Sequence, residues 1–183
     1  MAMISLMFEQ LVVLVAHAIS GIYSSDLKYS KKTTFFVWGI WVVFQEIIWY
    51  FSEFVIKDIG MKFFLGFVTA YVFQYIIFFA TTKGRFSQRL FTILTYSIFF
   101  CIFMALFMAI QGAFPGMYAI VRAIIHATLM VGVVCYFLKC VCPLCHAASK
   151  SIVTGWYPLI FVNCIFVITI VATSVFPVRI TSI

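Results

Sequence analysis

The sequence predicts an all-α fold: a polytopic transmembrane helical bundle of about six spans with its N-terminus outside, forming a single transmembrane domain over residues 1–183. Three observations predict it. The side chains are 66% hydrophobic and 20% aromatic, with 23 Phe, and only 9% are charged, a balance that no water-exposed globular surface tolerates. Six apolar stretches approach the ~20 residues a helix needs to cross a bilayer, where every backbone N–H and C=O must be paired internally. The basic residues concentrate in alternate connections between those stretches.

The first span lies near residues 4–22. Its Ala16-His17-Ala18 has the small-residue look of a signal-peptide cleavage site, but Glu9 and Gln10 stand in place of a basic leader, so it reads as a retained helix. The second span, near 34–56, carries Gln45, Glu46 and Glu53. The third, near 61–80, contains an isolated Gly66, and the fourth, near 90–111, ends at Gln111. Gly112 to Gly116, with Pro115, make a loop rather than a break within a span. The fifth span, near 118–138, carries Arg122 and His126, and the sixth lies near 156–176. No internal repeat or low-complexity stretch is present.

Orientation follows from the cations. Lys28, Lys31 and Lys32 follow the first span; Lys83, Arg85 and Arg89 follow the third; Lys139 and Lys150 follow the fifth. The other connections and the tail offer only Lys57, Lys62 and Arg179, and Arg122 lies within a span. The positive-inside rule then places the odd-numbered connections in the cytoplasm, in a multi-pass protein of the cell membrane. The net charge of +7 is thereby a matter of topology and of attraction to anionic membrane lipids, and nothing points to nucleic acid. The chain stops a few residues beyond the sixth span, which raises the expectation of a longer protein of which this is the front part.

Ionisable groups within spans cost several kcal/mol unless they face a partner or a wet cavity. Glu46 and Glu53, seven apart, share a helix face, as do Arg122 and His126 at i, i+4. Antiparallel second and fifth spans would bring Glu53 and Arg122 to the outer third of the membrane, with Glu46 and His126 deeper and Gln111 and Glu9 within reach. Glu46, Glu53, Arg122, His126 and Gln111 are therefore the candidate ligand-binding residues. Two readings stand for them: a ligand-sensing pocket open to the outside, or an ion pair that fixes helix packing with Arg122 snorkelling to the interface. His17 is expected to be a satisfied packing residue. Trp38, Trp41, Trp49 and Trp156, with Tyr50 and Tyr157, are expected to anchor span ends at the membrane interface.

Cys140, Cys142, Cys145 and His146 form C-x-C-x-x-C-H in the connection after the fifth span. Its last five residues match c-type haem attachment, and four soft ligands also suit zinc. Haem c is attached outside, however, whereas the charge bias places this connection inside. Juxtamembrane cysteines are more often inert or acylated, so no metal and no cofactor is expected. The six cysteines make no extracellular disulfide framework.

Three stretches carry a family resemblance. Tyr29-Ser30-Lys31-Lys32-Thr33-Thr34 opens the second span, Gly84-Arg85-Phe86-Ser87-Gln88-Arg89-Leu90-Phe91 opens the fourth, and Lys150 through Gly155-Trp156 opens the sixth, which runs to Phe176-Pro177. Together they resemble the N-terminal membrane sensor region of GHKL-type sensor histidine kinases of Firmicutes. In that family the connection at Leu138 to Ala148 is usually rich in Arg and Lys; here it is rich in cysteine. The resemblance implies an integral membrane sensor module of a two-component-type signalling protein, lacking its own kinase domain, that takes a small-molecule or peptide signal and works as a homodimer.

Two other functions compete. A small-solute transporter, or a transporter subunit, fits a small polytopic bundle but would call for broken helices and paired repeats. The chain's length also resembles that of the accessory gene regulator B peptidases, yet their Gly-Gly-x-His-Ala signature is missing. His126 and Cys135 stand nine residues apart, about two and a half turns along one helix and out of hydrogen-bond reach. No catalytic residue is assigned.

Overall fold

A computed structural model describes residues 2–57, 59–114, 116–151 and 155–175. The side chains of Lys62, Gln111 and Lys150, and all of Arg179, lie outside the described residues. The fold is all-helical. In chain order it comprises α1 (Ala2–Tyr23), α2 (Lys31–Val55), α3 (Ile59–Thr81), α4 (Phe86–Ala113), α5 (Ala119–Tyr136), a π-helical turn (Phe137–Val141), α6 (Cys142–Ser151) and α7 (Trp156–Val175). Three helical stretches are long and apolar enough to cross a membrane: Lys31–Val55, Phe86–Phe107 and Ala119–Ala148. Shorter apolar stretches, Met7–Tyr23, Val68–Thr81 and Trp156–Phe166, accompany them.

Contacts along the helices fix their directions. Antiparallel α1 and α2 meet through Tyr23 and Phe35, and antiparallel α2 and α3 through Trp38 with Thr81 near one end and Gln45 with Thr69 further along. From α3 to α4 the chain reverses again, with Phe79 on Phe86 and Tyr71 on Cys101. Parallel pairs alternate with these: Glu9 meets Arg122 and Tyr23 meets Cys142, so α1 runs with the α5–α6 rod. Phe91 meets Trp156 and Thr95 meets Asn163, so α4 runs with α7. One end of the bundle therefore gathers the C-termini of α1, α3 and α5 with the N-termini of α2, α4 and α7.

Local chemistry closes that end. Ser30 caps α2, its Oγ accepting from the Thr33 N–H at 3.2 Å. The connections 24–30 and 82–84 pair through Lys28 N–H to Thr81 O at 2.8 Å and Lys83 N–H to Asp26 O at 2.7 Å. Gly84 then turns the chain at φ +111°, a conformation that favours glycine. Arg89 reaches back to the end of α3, donating through Nη1 to Phe79 O at 2.8 Å and Thr82 O at 3.3 Å, which satisfies carbonyls the helix end leaves unpaired. Lys28, Lys31, Lys32, Lys83 and Arg85 all sit on this end, exposed.

The core is aromatic and close-packed, with Trp38, Trp41, Phe78, Tyr96, Phe100 and Phe137 all buried. The tryptophans correct the expectation of interfacial anchoring. Trp38 lies across Gly21 of α1, where a Cβ would stand 2.5 Å from the ring, and Trp49 does the same over Gly66 of α3. Missing side chains let the rings replace backbone-to-lipid contact with close helix packing, the attraction that holds apolar helices together where lipid is as apolar as leucine. Trp156 is buried as well, against Phe91. Tyr50 and Tyr157 are exposed, as anchors would be.

The cysteine cluster is helical rather than a loop. The rod continues through the π turn into α6, and that turn sets which cysteine faces inward: Cys142 and Cys145 are buried, Cys140 is exposed. Cys142 Sγ donates to Tyr23 O at 3.0 Å, with His146 Nε2 3.4 Å from the same oxygen. Among the described residues no group of His, Cys, Asp and Glu is arranged to hold a metal ion.

Candidate functional site

A carboxylate, a guanidinium and an imidazole converge at the end of the bundle opposite the lysine-rich one. Glu9 projects from the second turn of α1, and Arg122 and His126 from consecutive turns of α5, whose i, i+4 spacing aims both at α1. Arg122 Nε donates to Glu9 Oε1 at 2.8 Å. His126 Nδ1 stands 4.0 Å from Glu9 Oε2, and neither ring nitrogen makes a hydrogen bond. The imidazole stacks on Phe107 with centroids 3.9 Å apart and planes 15° apart, and more distantly on Phe103.

Burial within the trio is uneven. The Glu9 and His126 side chains are 6% and 2% exposed, whereas that of Arg122 is 30% exposed. The ion pair is thus a dipole whose negative end is enclosed and whose positive end faces out. Its Nε edge is committed to Glu9, and among the described residues neither Nη group has a partner. A ligand with an acceptor group would meet two guanidinium donors in a fixed plane. His126 has polar atoms left over, so a modest shift of either side chain would bring the ring into hydrogen-bond range of Glu9.

Of the sequence candidates, the fold brings together Arg122 and His126. It does not bring Glu46 and Glu53 to them. In place of the expected pairing of Glu53 with Arg122, α1 packs against both α2 and α5 and supplies Glu9 as the counter-ion. Glu46 and Glu53 stay on α2, both half-buried, where neighbouring Gln45 is buried and donates to Gly66 O at 3.1 Å and Thr69 Oγ1 at 3.2 Å. The side chain of Gln111 is outside the described residues.

A second polar cluster escaped the sequence reading, and it sits in the core. Gln74 of α3 donates through Nε2 to His17 Nδ1 at 3.0 Å and to the Tyr96 hydroxyl, tying α1, α3 and α4 together. All three are buried, and the His17 ring is walled by Phe100 and Tyr71. His17 packs in the core with the Gln74 amide as its hydrogen-bond partner, in keeping with the expectation of a satisfied packing residue. The signal that would have found it is Gln74 itself, a polar amide in an otherwise apolar segment.

Nor does the geometry favour a Cys–His nucleophilic pair. His126 is turned into the aromatic core while Cys135 is exposed and lines a cleft on the outside of the α1–α5 seam. No protein-family model, curated protein or solved structure matches the chain.

Proposed function

We propose that this chain is an integral membrane sensor or receptor module of a two-component-type signalling protein, multi-pass in the cytoplasmic membrane, with its N-terminus outside. The observation that carries the reading is the Glu9–Arg122–His126 trio. It joins two helices at the end of the bundle away from the lysine-rich connections, with a guanidinium left accessible. By the positive-inside rule the lysine-rich end is cytoplasmic, which turns Arg122 toward the outside, where a signal arrives.

Such a module signals only if the signal binds two helix arrangements unequally. An acceptor group that draws Arg122 away from Glu9 would leave the carboxylate to His126 and loosen α1 from α5. The charges suit a small molecule or peptide carrying an anionic group, and a homodimer follows from the resemblance to GHKL-type kinases. The test is a thermal-shift screen of the purified protein in nanodiscs against extracellular peptides and small anions. Stabilisation that Arg122→Ala abolishes is the expected result; stabilisation unchanged in that variant removes the site from the reading.

The His17–Gln74–Tyr96 cluster favours one alternative, a small-solute transporter or transporter subunit, since buried polar groups deep in a bundle are where carriers bind. Solute counterflow in proteoliposomes, lost in Gln74→Leu and intact in Arg122→Ala, would establish that reading in place of the first.

A further inference from the structure

A cleft of about 420 Å³ runs along the seam between α1 and α5, within the usual range for small-molecule sites. Leu11, Val15, Ala16 and Ile19 line it from α1, with Ala127 and Val131 from α5. Two of the lining residues, Ala16 and Ala127, are small. From Leu11 to Ile19 the cleft extends about 12 Å at 1.5 Å per residue. Its upper end lies within two turns of Glu9 and Arg122, and the two helices run parallel there, so cleft and ion pair form one continuous seam.

We propose that this seam binds a free fatty acid: its alkyl chain in the cleft and its carboxylate on the Nη edge of Arg122. The proposal deepens the receptor reading of Arg122 and rests on it for its signalling meaning. Two properties select this occupant. The lining is apolar but for the Cys135 thiol, so a hydrated solute or a peptide backbone would lose its hydrogen bonds there. The exposed pole of the Glu9–Arg122 dipole is the positive one, and helix geometry leans the Arg122 side chain toward the N-terminus of α5, at the mouth of the seam.

The experiment uses the full chain in phosphatidylcholine nanodiscs with a diazirine-bearing palmitate as probe, and maps adducts by mass spectrometry. Adducts are expected on the Leu11–Ile19 and Ala127–Cys135 stretches, displaced by dodecanoate and not by the neutral detergent dodecyl maltoside. Arg122→Gln should lower labelling about tenfold, the value of one charge-assisted hydrogen bond. Val131→Trp should block the cleft with the ion pair intact, and carries the test alone if Arg122→Gln does not fold. Displacement by phosphatidylglycerol and not by dodecanoate would overturn the fatty acid in favour of an anionic membrane lipid. Adducts outside the seam, equal displacement by the neutral detergent, or labelling indifferent to both variants would overturn the proposal. Should a peptide stabilise the protein through Arg122 while the cleft stays unlabelled, the fatty acid is wrong and the receptor reading survives.

Discussion

Arg122 Nε and Glu9 Oε1 lie 2.8 Å apart across 113 residues of chain, and they lock α5 to α1 at one end of the bundle. The two partners are not equivalent. Arg122 has solvent or headgroups within reach, so in Glu9→Ala it can turn outward. In Arg122→Ala the enclosed Glu9 carboxylate loses the guanidinium bonded to it, and removing one partner of a buried pair costs about 3–5 kcal/mol. Thermal unfolding in nanodiscs should therefore rank wild type above Glu9→Ala and Glu9→Ala above Arg122→Ala. The double variant Glu9→Gln/Arg122→Gln should recover part of the loss. Equal destabilisation by the two single variants would contradict the enclosed position of Glu9.

Gly21 and Gly132 make opposite predictions from the same substitution. A Cβ on Gly21 would sit 2.5 Å from Trp38, whose indole is fixed by Thr81 and by Trp41 packed edge-on, whereas a Cβ on Gly132 meets nothing within 4 Å. Gly21→Ala should cost about 1–3 kcal/mol through overpacking. Gly132→Ala should be neutral or stabilising by up to about 1 kcal/mol, since alanine is the better helix former. Melting temperatures of the two variants, measured side by side, check both.

Cysteine labelling tests the orientation. Cys140 is exposed within the π turn, while Cys142, bonded to the Tyr23 carbonyl of α1, and Cys145 are buried. A membrane-impermeant maleimide should modify Cys140 from the cytoplasmic face of inverted vesicles and leave it untouched in intact cells, with Cys142 and Cys145 reacting only after unfolding. Labelling of Cys140 from outside would reverse the proposed topology.

The apolar segments were legible because each rests on a local rule, apolar length. The pairing of Arg122 with His126 on one face was legible for the same reason, as helical spacing is local. Their partner was not. Choosing Glu9 over Glu53 requires knowing that α1 lies between α2 and α5, and a run of six similar apolar segments carries no pattern that fixes which neighbours touch. The buried tryptophans misled for a related reason. An indole near a span end suits the interface, and only the facing Gly21 and Gly66, on other helices, reveal that it packs inward. The cysteine cluster looked like a loop because its spacing matched ligand motifs, while the helix through it is held by an uncharged contact, Cys142 to the Tyr23 carbonyl.

Gln74 makes the last prediction, because one amide group serves two partners on different helices. Replacing it with leucine keeps the volume close but strands His17 Nδ1 and the Tyr96 hydroxyl, both in the core. Interhelical hydrogen bonds between apolar helices average about 0.6 kcal/mol, and a stranded buried group costs more than the bond itself returns. Gln74→Leu is therefore expected to lose about 1–3 kcal/mol. Tyr96→Phe removes one of the stranded groups, so the double variant should lose less than the sum of the singles, by about 0.5 kcal/mol or more. Strict additivity in a double-mutant cycle would mean that Gln74 and Tyr96 act independently, and the cluster would no longer count as one unit linking α1, α3 and α4.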